Sequence, residues 1–151
     1  MMQSIASELQ SVINRQLPLL KAIPADKMTS KPSPGKWSKK ELVGHIIDSA
    51  QNNIRRFVVG QYENQPRIIY NQDLWVSIGR YQDYDLGDLI NLWFLLNRHI
   101  CMILEKMPED ISQRNCETGE MHTIEWLARD YIKHLKHHMH VVLDLEPVAY
   151  P

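Results

Sequence analysis

The sequence lacks the features that mark several common classes of protein. It has only two cysteines, Cys101 and Cys116, and no C-x-x-C pair, which argues against a disulfide framework and a cysteine-ligated zinc site. Its 17 lysines and arginines nearly balance its 18 aspartates and glutamates. Because no basic stripe or polybasic cluster stands out, we expect no nucleic-acid partner and no membrane partner.

Long apolar runs are also missing. No segment approaches the roughly 18 to 20 apolar residues that a membrane span requires. Residues 1–16 carry Glu8 and Arg15 where a signal peptide would be apolar, so we expect no signal peptide. With few cysteines and no targeting segment, the expected location is cytoplasmic.

What is present is typical of one globular domain covering residues 1–151, with 44% hydrophobic and 23% charged residues. Four segments have helical periodicity and none alternates convincingly like a β-strand. The predicted helices cover about residues 4–21, 38–59, 86–107 and 123–145, and Pro18 is expected to kink or end the first. Four helices without strands predict an all-α four-helix bundle.

The start of the second predicted helix is clearly encoded. Ser38 and Glu41 have the spacing of a capping box, and Trp37 and Leu42 occupy the positions of a hydrophobic staple. The connection after this helix, residues 61–84, is long and rich in aromatic residues. A crossover of that length lets helices two and three run parallel. Its aromatic side chains either wall a pocket or simply attach the segment to the bundle.

Two histidines one helical turn apart, His134 and His138, lie in or beside the apolar stripe of the fourth predicted helix. Buried imidazoles need partners, so an inward-facing pair at this spacing favours a metal site over a structural role. Leu135 follows His134 where an H-E-x-x-H metalloprotease carries glutamate, so zincin-type proteolysis is not supported.

Three further residues are harder to interpret from periodicity. His45 falls on the polar face of the second predicted helix, and read alone it is a surface residue, although that face could line a polar pocket. Asn97 falls within the apolar stripe of the third helix, so its amide needs a buried partner, either at a metal site or on the backbone. Asp130, one turn before His134, is expected to be solvated or to contact an imidazole.

The remaining candidates carry less weight. Glu41, one turn before His45, is the other carboxylate that helical spacing places near the histidines, and we assign it no catalytic role. His99 falls toward the polar side of the third helix, and His122 precedes the fourth. Both are expected to be solvated.

The histidines also stand within a family pattern. The stretch 34–45 resembles the signature of the DinB-like superfamily, in which P-G-K-W-S leads into a helix that carries the first metal histidine. Residues 134–138 resemble the family's H-x-x-H-H element, whose first and last histidines are the other two ligands. The layout from Tyr70 to Asn97 is also similar, so the resemblance covers nearly the whole chain.

The resemblance implies a four-helix bundle with its helices in up-down-down-up order, often as a homodimer. It also implies one divalent ion, nickel or zinc, held by His45, His134 and His138. The characterised relatives that the chain resembles include metal-dependent S-transferases and maleylpyruvate isomerases. The S-transferases use a low-molecular-weight thiol such as bacillithiol or mycothiol as cosubstrate.

An ion held by three neutral imidazoles keeps at least one exchangeable position, which suits a hydrolase or a thiol S-transferase acting on a small-molecule substrate. Two hypotheses without a catalytic function remain open. One is a bundle that stores or senses a metal or small ligand, with a filled coordination shell and no cavity beside it. The other is a helical dimerisation module whose histidines are incidental.

Overall fold

The computed structural model describes residues 1–150, in which four long helices form the body of the molecule. They are α1 (Met2–Lys21), α3 (Lys39–Val59), α5 (Leu86–Glu105) and α7 (Ile124–Val142). Helix α1 packs mainly against α5, and α3 lies against both α5 and α7. The four predicted helices are therefore confirmed, and the up-down-down-up order stays a prediction. No helix among the described residues is long and apolar enough to cross a membrane.

Shorter elements occupy the three connections. Helix α2 (Ala25–Thr29) lies between α1 and α3, α4 (Gln72–Gly79) lies between α3 and α5, and α6 (Glu109–Ser112) follows α5. A 3₁₀ turn (Tyr81–Asp83) comes between α4 and α5. Helix α1 continues through Pro18 to Lys21, so this proline does not end the helix.

The expectation that the chain contains no strands was wrong. Strands β1 (Asn115–Glu117) and β2 (Met121–Thr123) pair as an antiparallel hairpin, and Gly119 takes a positive φ of 106° in its turn. Each strand has three residues, which is too short to show an alternating pattern in the sequence. Backbone hydrogen bonds from Ile68 and to Pro66 attach the hairpin to the connection between α3 and α5.

The capping box at the start of α3 is confirmed. The Ser38 hydroxyl accepts a hydrogen bond from the Glu41 backbone N–H at 3.1 Å, and the Glu41 carboxylate accepts one from the Ser38 N–H at 3.0 Å. Together they satisfy two N–H groups at the helix start that have no partner within the helix. The cap fixes where α3 begins, and His45 follows less than two turns later.

The segment around the 3₁₀ turn is fastened onto α3 by Tyr81. The Tyr81 ring is buried against Gly44, where a Cβ atom would overlap it. Its hydroxyl donates a hydrogen bond to the Asp48 carboxylate, one turn further along α3. The connection is thus part of the folded body, and it covers α3 at Gly44 and Asp48.

Candidate metal centre

Three imidazoles converge between α3 and α7. His45 comes from α3, whereas His134 and His138 lie one turn apart on α7. One potential ligand nitrogen from each lies within 4.8 Å of the other two, and the Nε2 atoms of His45 and His134 are 3.1 Å apart. The structure therefore brings together the three residues that the sequence singled out.

The distance between the nitrogens of His45 and His134 fits two ligands of one small divalent ion. Two imidazole nitrogens bound to an ion at about 2.1 Å, with an angle of about 90° to 110° between them, lie about 3.0–3.4 Å apart. The separation of 3.1 Å between the His45 and His134 nitrogens falls in that range. An ion that these residues hold would have ligands from two helices that are distant in sequence.

The interpretation of His45 as a surface residue from periodicity alone was wrong. Its side chain is 1% exposed, and Asp48, Ser49 and Asn52 on the same helix face are buried as well. Helix α7 and the segment carrying Tyr81 both pack on α3, so the polar face of α3 is covered. The ring of Trp37, expected only as part of a staple, lies 5.1 Å from the His45 ring and closes one side of the cluster.

Burial keeps all three imidazoles neutral at neutral pH. Removal from water lowers the pKa of His45 to about 4 and that of His138 to about 4. The pKa of His134 falls to about 3 because of burial first and repulsion from the neighbouring histidines second. A neutral imidazole has a free lone pair, which is the form that binds a metal ion.

The other nitrogens of His45 and His134 have different surroundings. The Ser49 hydroxyl lies 3.5 Å from His134 Nδ1, the nitrogen that does not face His45. The Nδ1 of His45 is buried and has no hydrogen-bond partner among residues 1–150. His137 does not join the cluster through its Nδ1, which lies 2.6 Å from the carbonyl oxygen of Val148.

A cavity of about 420 Å³ lies directly beside the cluster, with His134 in its wall. Tyr70 and Gln72, from the long connection, line another part of it, so Tyr70 fits the first of the two interpretations left open for the aromatic residues of that segment. Tyr150 also lines the cavity, and its ring lies 5.3 Å from that of His134. The remaining lining comes from α3, the hairpin and α7, namely Ser49, Asn53, Arg56, Thr118, Gly119, Glu120, His122, Trp126, Leu127, Asp130 and Tyr131.

The two carboxylates near the histidines in sequence have separate roles. Glu41 caps α3 and forms an ion pair with Lys31 at 3.1 Å; its pKa is lowered by the Ser38 and Lys31 contacts, which outweigh the opposing effect of burial. Asp130 lines the cavity, where it accepts a hydrogen bond from the Tyr150 hydroxyl at 2.7 Å. Sequence spacing gave no sign of that partner.

Three other polar candidates lie outside the cluster. Asn97 has a structural role, since its amide donates to the Trp93 carbonyl at 2.8 Å and its oxygen accepts from the Tyr131 hydroxyl at 2.6 Å. His99 is exposed as expected. His122 is half-buried in β2 and stacks on Trp126 with ring centres 3.5 Å apart, so its expected solvation was wrong.

The cavity contains a charged group that the sequence analysis missed. Arg56, three turns after His45 on α3, is half-buried in the cavity wall. It lies on the helix face that also carries Ser49 and Asn53, so the spacing 45, 49, 53 and 56 was the available signal.

Comparison with known proteins gives two matches and one absence. A family model described as the DinB superfamily matches residues 8–142. Among solved structures, YfiT from Bacillus subtilis, described as a probable metal-dependent hydrolase with an unusual four-helix bundle topology, superposes with a TM-score of 0.85. The match covers 95% of this chain and 84% of the other at 19% sequence identity, which establishes similarity of fold. No curated protein matched the chain.

Proposed function

This chain belongs to the DinB superfamily, and from that premise we propose that it is a divalent-metal-dependent enzyme acting on a small molecule. His45, His134 and His138 are the proposed ligands, and their imidazole nitrogens suit nickel or zinc. The proposal covers two reactions, hydrolysis and transfer of a low-molecular-weight thiol. The description of YfiT as a probable metal-dependent hydrolase supports the first. The resemblance of the two histidine motifs to the DinB-like superfamily, whose characterised relatives include thiol S-transferases, supports the second.

The ion would supply Lewis-acid chemistry, lowering the pKa of a water or thiol beside it toward neutrality. The residues of the chain determine the surroundings of the ion. Three neutral imidazoles leave the charge of such an ion uncompensated, Trp37 shields His45 from solvent, and Ser49 lies against the outer nitrogen of His134.

The observation that carries the proposal is the cavity beside the cluster. With about 420 Å³, it falls in the size range of small-molecule sites, and His134 belongs to both the cluster and the cavity wall. A protein that only stores a metal needs no space for a second molecule at the ion. The position of the cavity next to the histidine cluster therefore favours an enzyme over the non-catalytic alternatives.

Metal content tests the ligand set. We expect about one nickel or zinc ion per chain by elemental analysis of untagged protein, and loss of that ion in His45→Ala and His138→Ala. The matched control is His99→Ala, which removes an exposed histidine outside the cluster and should keep the ion. A metal-free wild-type protein after supplementation, or equal metal content in all variants, would refute the proposal.

The two chemistries separate in activity assays on the loaded protein. A panel of esters, amides and lactones tests hydrolysis, and electrophiles offered together with thiols test conjugation. Thiol consumption that requires protein, metal and electrophile together supports transfer. Product formation without thiol supports hydrolysis. Bound metal with neither activity would favour the storage or sensing alternative.

A further inference from the structure

We propose that Arg56 forms a carboxylate-binding subsite in the cavity beside the three histidines, so that the substrate is a small molecule with a carboxylate at the end remote from its reacting group. The inference deepens the proposed function and rests on it for the reaction. The subsite itself rests on the position of Arg56, its hydrogen bonds and the absence of a direct ion pair to it.

The guanidinium of Arg56 is held rigidly by the protein backbone. Its Nε and Nη2 both donate to the carbonyl oxygen of Ile68, at 3.1 and 2.9 Å. Its Nη1 donates to the Asn53 side-chain oxygen at 3.4 Å, and Asn53 is fixed in turn by the Ser49 carbonyl at 2.8 Å. The Tyr70 ring lies 5.8 Å from the guanidinium carbon. The orientation of the group is therefore set before any ligand binds.

These contacts leave part of the guanidinium free. An arginine side chain has five N–H donors, and three of them are used by Ile68 and Asn53, which leaves one on each terminal nitrogen. Two donors on adjacent nitrogens match the two oxygens of a carboxylate. The group is thus able to bind a carboxylate end-on, through its two terminal nitrogens.

The positive charge of Arg56 is also not neutralised by a direct ion pair. Among the ion pairs within residues 1–150, none includes Arg56. Of the two carboxylates in the cavity wall, Asp130 acts on Arg56 only through longer-range charge attraction and accepts a hydrogen bond from Tyr150, and the exposed Glu120 lies against His122. A half-buried cation that lines a cavity without an ion-pair partner is better stabilised when an anion enters.

The position of Arg56 relates the carboxylate to the reacting end of the ligand. Ser49, which contacts His134, precedes Arg56 by seven residues on the same helix. At about 1.5 Å per residue, the two positions are about 10 Å apart along α3. A ligand that reaches from the histidines to Arg56 therefore has a short chain or ring between its reacting atom and its carboxylate.

Binding to metal-free protein tests the subsite independently of any reaction. The probes are straight-chain carboxylates from butanoate to octanoate and the matching primary amides, titrated by NMR or calorimetry. We expect carboxylates to bind more tightly than amides, and Arg56→Gln to weaken carboxylate binding by about tenfold or more. Arg55→Gln is the matched control, since Arg55 is adjacent and exposed, and it should change nothing. Equal binding of carboxylates by the wild type and Arg56→Gln would overturn the proposal.

Because Arg56→Gln also removes the bonds to Ile68, a second measurement uses the wild type alone. Phenylglyoxal modifies accessible arginines, and mass spectrometry locates the modified residue. The longer carboxylates of the series should protect Arg56 from modification by phenylglyoxal, and the matching amides should not. Equal protection by both, or protection of Arg55 instead, would contradict the assignment.

The carboxylate could belong to the thiol or to its reaction partner, and cobalt-loaded protein separates these sources. The probes are ω-mercaptocarboxylates and the matching mercaptoalcohols, followed through the cobalt absorption. Preference for the mercaptocarboxylate that disappears in Arg56→Gln assigns the carboxylate to the thiol. If the mercaptocarboxylate and the mercaptoalcohol bind equally well, and a carboxylate without sulfur still binds while the thiol is bound, the carboxylate belongs to the other substrate. Failure of cobalt loading with intact carboxylate binding refutes the metal proposal and leaves the subsite standing.

Discussion

Replacing Gly44 by alanine should destabilise the protein, although glycine is a poor residue in a helix. In the interior of an exposed helix, glycine to alanine stabilises by about 0.5–1 kcal/mol. At Gly44 the new methyl group would overlap the ring of Tyr81, which is packed directly on the helix backbone. The ring has to leave its site, and with it goes the hydrogen bond to Asp48.

The cost follows from what Tyr81 loses. Removing a buried aromatic side chain from its site costs about 3–5 kcal/mol, which includes the loss of a hydrogen-bond partner for buried Asp48. Subtracting the helix gain leaves a net loss of about 2–4 kcal/mol in the free energy of unfolding. In a Tyr81→Ala background the obstacle is absent, so Gly44→Ala should then stabilise by about 0.5–1 kcal/mol.

Urea denaturation of the wild type, both single variants and the double variant measures this as a double-mutant cycle. We expect a coupling free energy of about 3–5 kcal/mol between the two positions, equal to the cost of displacing Tyr81. If Gly44→Ala alone raises the free energy of unfolding, or if the two changes add within about 0.5 kcal/mol, the packing of Tyr81 on α3 is not as described.

Two further changes test buried polar groups. Tyr131→Phe removes the hydroxyl that bonds to Asn97 and should cost about 1–3 kcal/mol by urea denaturation, without loss of bound metal; an unchanged stability would refute a structural role for this pair. Burial raises the pKa of Asp48 to about 6, more than its bond from Tyr81 lowers it. Because the folded protein then holds its proton more tightly than the unfolded chain, this group makes stability fall as pH rises from about 4 to about 6. By urea denaturation, the free energy of unfolding of Asp48→Asn should equal that of the wild type below about pH 4 and exceed it by up to about 3 kcal/mol at pH 7. A difference between the two proteins that does not change with pH would contradict the raised pKa of Asp48.

The parts of the fold that depend on local sequence were predictable. The capping box of Ser38 and Glu41 involves residues three apart, and it forms as the sequence indicates. The four long helices were found because each has a continuous apolar stripe. The β1–β2 hairpin was missed because its strands are only three residues long, and its attachment to residues 66–68, far away in sequence, gives no local signal.

The part of the site that could be predicted from sequence periodicity is the part in which the residues lie on one helix. His134 and His138 share a face of α7 whatever packs against it, so their spacing indicated a pair. The burial of His45 depends on α7 and on Trp37, both outside α3. A helical wheel cannot show this, because it assumes that a helix has one buried face and one solvent-exposed face. Family resemblance supplied what periodicity did not. Arg56 was missed for the same reason, since its orientation depends on the Ile68 carbonyl.

The separation of the histidines along the chain has a consequence for unfolding. His45 and His134 are 89 positions apart in sequence, yet their nitrogens lie 3.1 Å apart. Bringing two such distant points together costs loop-closure entropy, and the unfolded chain has no preformed site to recover it. An ion bound there would act as a removable cross-link between the two halves of the chain, and its stabilising effect would grow with the free ion concentration relative to its Kd.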